Sequence, residues 1–160
     1  MSADVLFLVI RLGADYYAIE TAQVVEVIPL VRLKALHGAP AGVAGVMNYR
    51  DEPVPVLDLN LLATGASTAA AAGARIVIVQ FASAGDQERM VGLLVPHATE
   101  TLRLNPGAFT SPGVTADGVP YLGSVVTTDT GVIQRVSITA LLTPELLQAL
   151  AAAAEEAAAA

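Results

Sequence analysis

Three charged side chains stand in a row at Arg50-Asp51-Glu52, between the apolar runs Val43 to Met47 and Val54 to Leu57. In a chain with only 14% charged residues, the cluster has three readings: acid/base chemistry, a contact for a partner, or a solvated hairpin turn. As an acid/base pair, Asp51 and Glu52 are poorly placed, because neighbours on an extended strand point to opposite faces. His37 and His97 sit in loop-like surroundings with no second ligand at metal-binding spacing, so they read as surface or packing residues and no metal is expected. No serine lies in a G-x-S-x-G elbow, the setting in which a hydrolase exposes its nucleophile. The glycines of A-G-V-A-G-V, residues 41 to 46, lie between extended segments and match neither phosphate-binding pattern. With no cysteine there is no thiolate nucleophile, thiolate zinc site or disulfide. These residues point to a binding module without metal or cofactor before they point to an enzyme.

The bulk properties narrow the partners. A net charge of −7 repels phosphate backbones and anionic lipid, which argues against nucleic acid and membrane surfaces. Mean hydropathy is high at +0.62, much of it from alanine. Even so, Arg11, Glu20, Glu26 and Arg32 interrupt the richest apolar region before it reaches the roughly 18 residues of a membrane span. Asp4 occupies the place where a signal peptide would be positive, and Val5 to Ile10 is too short an apolar run, so a cytoplasmic protein is expected.

The elements that must position the cluster are mostly strands. Val5 to Leu12 is a β-branched and aromatic run that stops at Gly13-Ala14-Asp15 and resumes at Tyr16 to Ile19, the pattern of a hairpin. Glu20 to Ala22 makes a short turn before the strand Val24 to Ile28, closed by Pro29, and Gly38, Pro40 and Gly42 mark a loop. Pro53 and Pro55 suggest edge or irregular pairing for the run after the charged cluster. Asp58 is placed to cap a helical turn over Leu59 to Ala63. Thr64 to Gly73 reads as a small-residue linker.

Beyond the linker the pattern returns. Ala74 to Phe81, a polar turn at Ala84 to Glu88, and Met90 to Val95 repeat the opening hairpin. Glu100 then echoes Glu26, Gly123 echoes Gly45, and the segment opened by Ser137 echoes the one opened by Asp58. The reading is an internal duplication: two five-stranded units, about 5–65 and 74–142, each too small for an ample core of its own, packed together to share one. The expected core includes Val9, Ile19, Val56, Ile78, Leu93 and Val136. Thr143-Pro144-Glu145 starts a C-terminal helix over about 143–154, with a fraying alanine-rich tail to 160.

The stretch G-V-M-N-Y-R-D-E-P-V-P-V-L-D-L, residues 45 to 59, resembles the signature of the CheW-like family, G-V-x-N-L-R-G-x-x-[IV]-P-V-x-D-L. It matches at Gly45, Val46, Asn48, Arg50, Val54, Pro55, Val56, Asp58 and Leu59. The resemblance extends from the opening strand, with Leu12, Gly13, Tyr17, Ala18 and Ile19, through V-V-E-V-I and M-V-G-L-L-V to the final S-I-T-A-L-L, covering roughly residues 5 to 142. It implies a mainly β single domain of two SH3-like five-stranded barrels, each followed by a short helix. It also implies a non-catalytic adaptor that connects the regulatory domain of a CheA-type histidine kinase to the cytoplasmic tips of methyl-accepting chemoreceptors. On that resemblance Glu26, Arg50, Val24 and Gly45 occupy receptor-coupling positions, and Val31 and Leu33 belong to an apolar kinase-binding patch.

The chain departs from the pattern in places. Asp51 stands where the family has glycine, at a turn that often requires positive φ, and Tyr49 replaces the usual leucine. Pro96-His97 replaces an acidic segment. These departures bear on the choice of receptor and pathway, so a surface-sensing or pilus-linked array stands beside swimming chemotaxis. An unrelated small-barrel peptide-binding module is the remaining alternative.

Overall fold

A computed structural model of the protein describes residues 4–68, 73–82, 88–113, 122–129 and 131–159. Most of the turn expected over Ala84 to Glu88, and residues 69–72 of the linker, lie outside the described residues. Among the described residues, ten strands form two five-stranded sheets. The first half of the chain supplies β1 (Val5–Leu12), β2 (Asp15–Glu20), β3 (Val24–Pro29), β4 (Val43–Tyr49) and β5 (Glu52–Asp58). The second half supplies β6 (Arg75–Ala82), β7 (Glu88–Val95), β8 (His97–Leu104), β9 (Leu122–Thr128) and β10 (Gly131–Val136). His97, read from sequence as a loop residue, opens β8 opposite Arg11.

One sheet runs β8-β1-β2-β10-β9 and the other β3-β6-β7-β5-β4. Exchanging each strand for its counterpart five places along the chain converts one order into the other. Even the single parallel contact recurs, β2 with β10 and β5 with β7. The duplication is therefore written in the topology, but the halves do not build separate sheets. Each sheet takes its leading hairpin from the opposite half, so the expected division into contiguous units at about 5–65 and 74–142 is not followed by the strand pairing.

Burial explains the exchange. On β1, Phe7 and Val9 enter a cluster with Ala18, Val126 and Ile133, while Leu8, Ile10 and Leu12 face the opposite way into the largest cluster. On β6, Ile76 and Ile78 enter a cluster with Met47, Val54 and Val56, while Val77 and Val79 enter the same largest cluster. A strand apolar on both faces must be covered on both. Placing β1 and β6 between a core inside each sheet and a shared core between the sheets achieves that. All six residues expected inside, Val9, Ile19, Val56, Ile78, Leu93 and Val136, are at most 2% exposed.

Each sheet is drawn toward closure by the segment that follows an edge strand. Lys34, beyond β3, exchanges two backbone hydrogen bonds with Val46 of β4, at 2.9 and 2.8 Å. Thr110, beyond β8, does the same with Val125 of β9, both at 2.8 Å. This curled, mainly β architecture is compatible with two SH3-like units.

Short helices seal the shared core. Asp58, buried, caps α1 (Leu59–Thr64) by accepting the Leu61 amide at 3.1 Å, and it also accepts the Thr68 amide and hydroxyl at 2.8 and 2.6 Å. Asn60 ties α1 to the first hairpin by accepting the Gly13 amide at 3.0 Å. Ser137 caps α2 (Ile138–Leu141) through the Ala140 amide at 3.2 Å. Thr143 accepts the Leu146 amide at the start of α3 (Pro144–Ala159), whose Leu146, Leu147 and Leu150 pack on the shared core. The helix continues through the alanine-rich segment expected to fray from about 154, consistent with alanine's helix propensity.

Candidate functional site

The β4–β5 hairpin places the charged cluster. Tyr49 pairs with Glu52, leaving Arg50 and Asp51 as a two-residue turn with φ of 50° and 66°. Positive φ at both central positions is the geometry that matches strand twist in tight hairpins, and it normally selects asparagine, aspartate or glycine. Asp51 meets that demand in part, whereas Arg50 is held in a region that costs an L-residue on the order of 1–2 kcal/mol. The turn lifts the arginine clear of the sheet, with its side chain 70% exposed.

Glu26 approaches from β3, at the opposite edge of the same sheet. Its Oε1 accepts a hydrogen bond from Arg50 Nη2 at 3.3 Å and another from the Tyr49 hydroxyl. The guanidinium carbon of Arg50 also lies 5.0 Å from the centre of the Tyr49 ring. Tyr49 alternates inward with Met47, so its ring is buried while its hydroxyl reaches the rim. The hydrogen bond to the Glu26 carboxylate holds the phenol proton and raises the Tyr49 pKa, and burial adds to the rise against the opposing charge of Arg50. The result is a fixed carboxylate with a cation above it. It can recognise a polar or charged surface, but it holds no activated nucleophile.

The other site residues named from sequence lie elsewhere. Val24 is half-buried against the shared core, opposite Val79. Gly45 is buried in β4, with φ of 151°, where a Cβ would stand 2.5 Å from the Lys34 carbonyl oxygen and 3.0 Å from Leu33 Cβ. It touches the chain beyond β3 rather than the Glu26–Arg50 surface. Val31 is 41% exposed, whereas Leu33 is half-buried against the core of its sheet. Sequence reasoning noted Tyr49 only as a departure from leucine and missed its part in the cluster. The available signal was a hydroxyl-bearing aromatic at an inward position beside the turn arginine.

A second arginine cluster joins the two halves of the chain. Arg135 of β10 contacts Glu20 at 2.9 Å, and its guanidinium carbon lies 5.4 and 5.9 Å from the ring centres of Phe7 and Phe109. It sits where β10 runs parallel to β2, a contact of three residue pairs.

Among the described residues, no group of three or more histidine, cysteine, aspartate or glutamate side chains could hold a metal ion. Among them, no helix is long and apolar enough to cross a membrane.

Comparison with curated proteins gives no match. Among solved structures, the crystal structure of the scaffolding protein TtCheW from Thermoanaerobacter tengcongensis matches with a TM-score of 0.75 over 91% of each chain, at 23% identity. At that identity the likeness speaks for the fold. The family model for the CheW-like domain matches residues 6–145, which reach from the second residue of β1 through β10 and take in the Glu26–Tyr49–Arg50 cluster and both short helices. The chain belongs to the CheW-like domain family.

Proposed function

We propose that this protein is a non-catalytic adaptor that couples methyl-accepting chemoreceptors to the regulatory domain of a CheA-type histidine kinase within a chemosensory array. The observation that carries this reading is the exposed Arg50, presented on a strained turn and bound to Glu26 and Tyr49, in a chain of the CheW-like family. The two-residue hairpin accounts for the positive φ, but an exposed ion pair contributes only about 0–1 kcal/mol to stability, so folding does not account for the choice of arginine at that position. Strain of this kind collects at recognition sites.

In this reading Arg50 and Glu26 meet the receptor, Val24 and Gly45 bear on receptor coupling through the packing of β3 and β4 away from that pair, and Val31 and Leu33 belong to the kinase side. Two modest contacts made in one assembly reinforce each other, because the second becomes effectively intramolecular. The protein works in the cytoplasm and reaches the membrane through its receptor partner.

The test measures receptor-fragment binding, kinase binding and receptor-dependent kinase autophosphorylation for wild type and Arg50→Ala. The expected result is loss of receptor coupling with kinase binding retained. Failure of the wild-type protein to bind either partner would overturn the assignment.

A further inference from the structure

The three members of the Glu26–Tyr49–Arg50 cluster differ in how firmly each is anchored. Glu26 and Arg50 are long side chains at the surface, well exposed to solvent. Tyr49 is 6% exposed, and its ring packs in the core of the sheet with Met47, Val54 and Val56. It is the last residue of β4 and leads directly into the turn at Arg50 and Asp51. A tyrosine ring has two side-chain torsions, and burial fixes both, so the hydroxyl emerges at a defined point on the rim.

The anchored residue touches both exposed ones. Its hydroxyl donates to Glu26 Oε1, the same oxygen that accepts Arg50 Nη2 at 3.3 Å. A separation of 3.3 Å is long for an N–H···O bond, so the direct contact between the two charges is the weaker of the two hydrogen bonds on that oxygen. The Tyr49 ring also carries the Arg50 guanidinium, 5.0 Å from its centre. Two long exposed side chains left to themselves give up rotamer freedom comparable with what an exposed ion pair returns. A buried anchor that engages each of them changes that balance. The carboxylate is fixed before any partner arrives, and the cost of ordering it falls on folding rather than on association.

We propose that Tyr49 is a positioning residue for recognition, holding the Glu26 carboxylate through its hydroxyl and thereby setting Arg50 in place for the receptor. This rests on the adaptor reading above and adds to it a buried residue that tunes receptor affinity without being a receptor contact. An aliphatic side chain at the same place would fill the core of the sheet, yet it would neither hold Glu26 nor carry the guanidinium.

The experiment is a double-mutant cycle on the full-length protein with Tyr49→Phe, Arg50→Ala and the two combined. It measures binding to a receptor cytoplasmic fragment, binding to the kinase regulatory domain, and thermal melting. Tyr49→Phe keeps the ring and removes the hydroxyl, and it is expected to weaken receptor binding roughly three- to tenfold, the scale of one hydrogen bond. Added to Arg50→Ala, it should weaken binding by no more than about twofold further, because it acts through the arginine. Kinase binding should stay within about twofold of wild type, and the melting temperature should fall by no more than a few degrees. In nitrogen NMR, rotation of the Arg50 guanidinium should be hindered in wild type and freer in Tyr49→Phe, a change that a purely structural role would not produce. If wild type binds the receptor and Tyr49→Phe binds it equally well, the positioning role is overturned and the adaptor reading stands. Equal weakening in both backgrounds, equal loss of kinase binding, or a fall in melting beyond about 10 °C would make Tyr49 a structural residue and overturn the proposal. If wild type binds no receptor, the adaptor reading and the proposal fall together.

Discussion

Glu26 and Arg50 lie 24 residues apart in sequence and meet at 3.3 Å through Oε1 and Nη2, from opposite edges of one sheet. Both side chains are well exposed, at 43% and 70%, so the contact is screened by water. Arg50→Ala is expected to cost about 1 kcal/mol or less in stability. For a domain of this size that is a fall in melting temperature of roughly 2–4 °C. Receptor coupling should fall much further than that. Parallel thermal melts and receptor-binding measurements check the separation, and a large loss of stability with unchanged binding would make the arginine structural.

At Asp51 the turn demands φ of 66°, which glycine adopts freely. Asp51→Gly is expected to stabilise the protein by up to about 1 kcal/mol, the relieved strain exceeding the added freedom of the unfolded chain. Chemical denaturation with an unchanged m-value is the measurement. Destabilisation would mean that the aspartate side chain contributes to the turn.

Gly45→Ala places a methyl group 2.5 Å from the Lys34 carbonyl oxygen, where the neighbour is backbone and has little room to yield. A loss of about 1–3 kcal/mol is expected. Hydrogen exchange should quicken at the Lys34 and Val46 amides, whose bonds close the sheet at that point. If Gly45 is instead a surface contact, the variant would keep native protection at both amides.

The buried Asp58 carboxylate serves both the start of α1 and the Thr68 amide and hydroxyl. Asp58→Ala removes a helix cap and leaves partly buried donors unpaired. Each loss is worth about 1–3 kcal/mol, so a drop in that range or somewhat above it is expected by denaturant titration. A neutral effect would mean that water replaces the carboxylate without loss.

Alkaline pH should weaken the fold. Tyr49 is raised above the ordinary tyrosine value, chiefly by its bond to Glu26, and Tyr17 is raised chiefly by burial. In the unfolded chain both phenols lose their protons near pH 10. Above that pH the unfolded state binds fewer protons than the folded one, so stability is fully present below about pH 10 and declines as pH rises through the folded values. Tyr49→Phe should reduce the slope of stability against pH in that window. An unchanged slope in both Tyr49→Phe and Tyr17→Phe would show that other groups govern it.

The sequence by itself determined the local elements and the inventory of the core. Two-residue periodicity and turn residues marked the hairpins, Asp58 and Ser137 announced their helices, and the motif from Gly45 to Leu59 identified the family, because these signals are read within a few residues of chain. Tertiary structure decided which strands pair. The apolar runs of β1 and β6 reveal that both faces are buried, but not against which partners, and only the competition for a shared core sends each hairpin to the other half's sheet. The same holds at the site. Arg50 and Glu26 were legible as residue types at family positions, whereas the role of Tyr49, the packing of Gly45 under Lys34 and the inward turn of Leu33 depend on contacts between segments that curvature alone brings together.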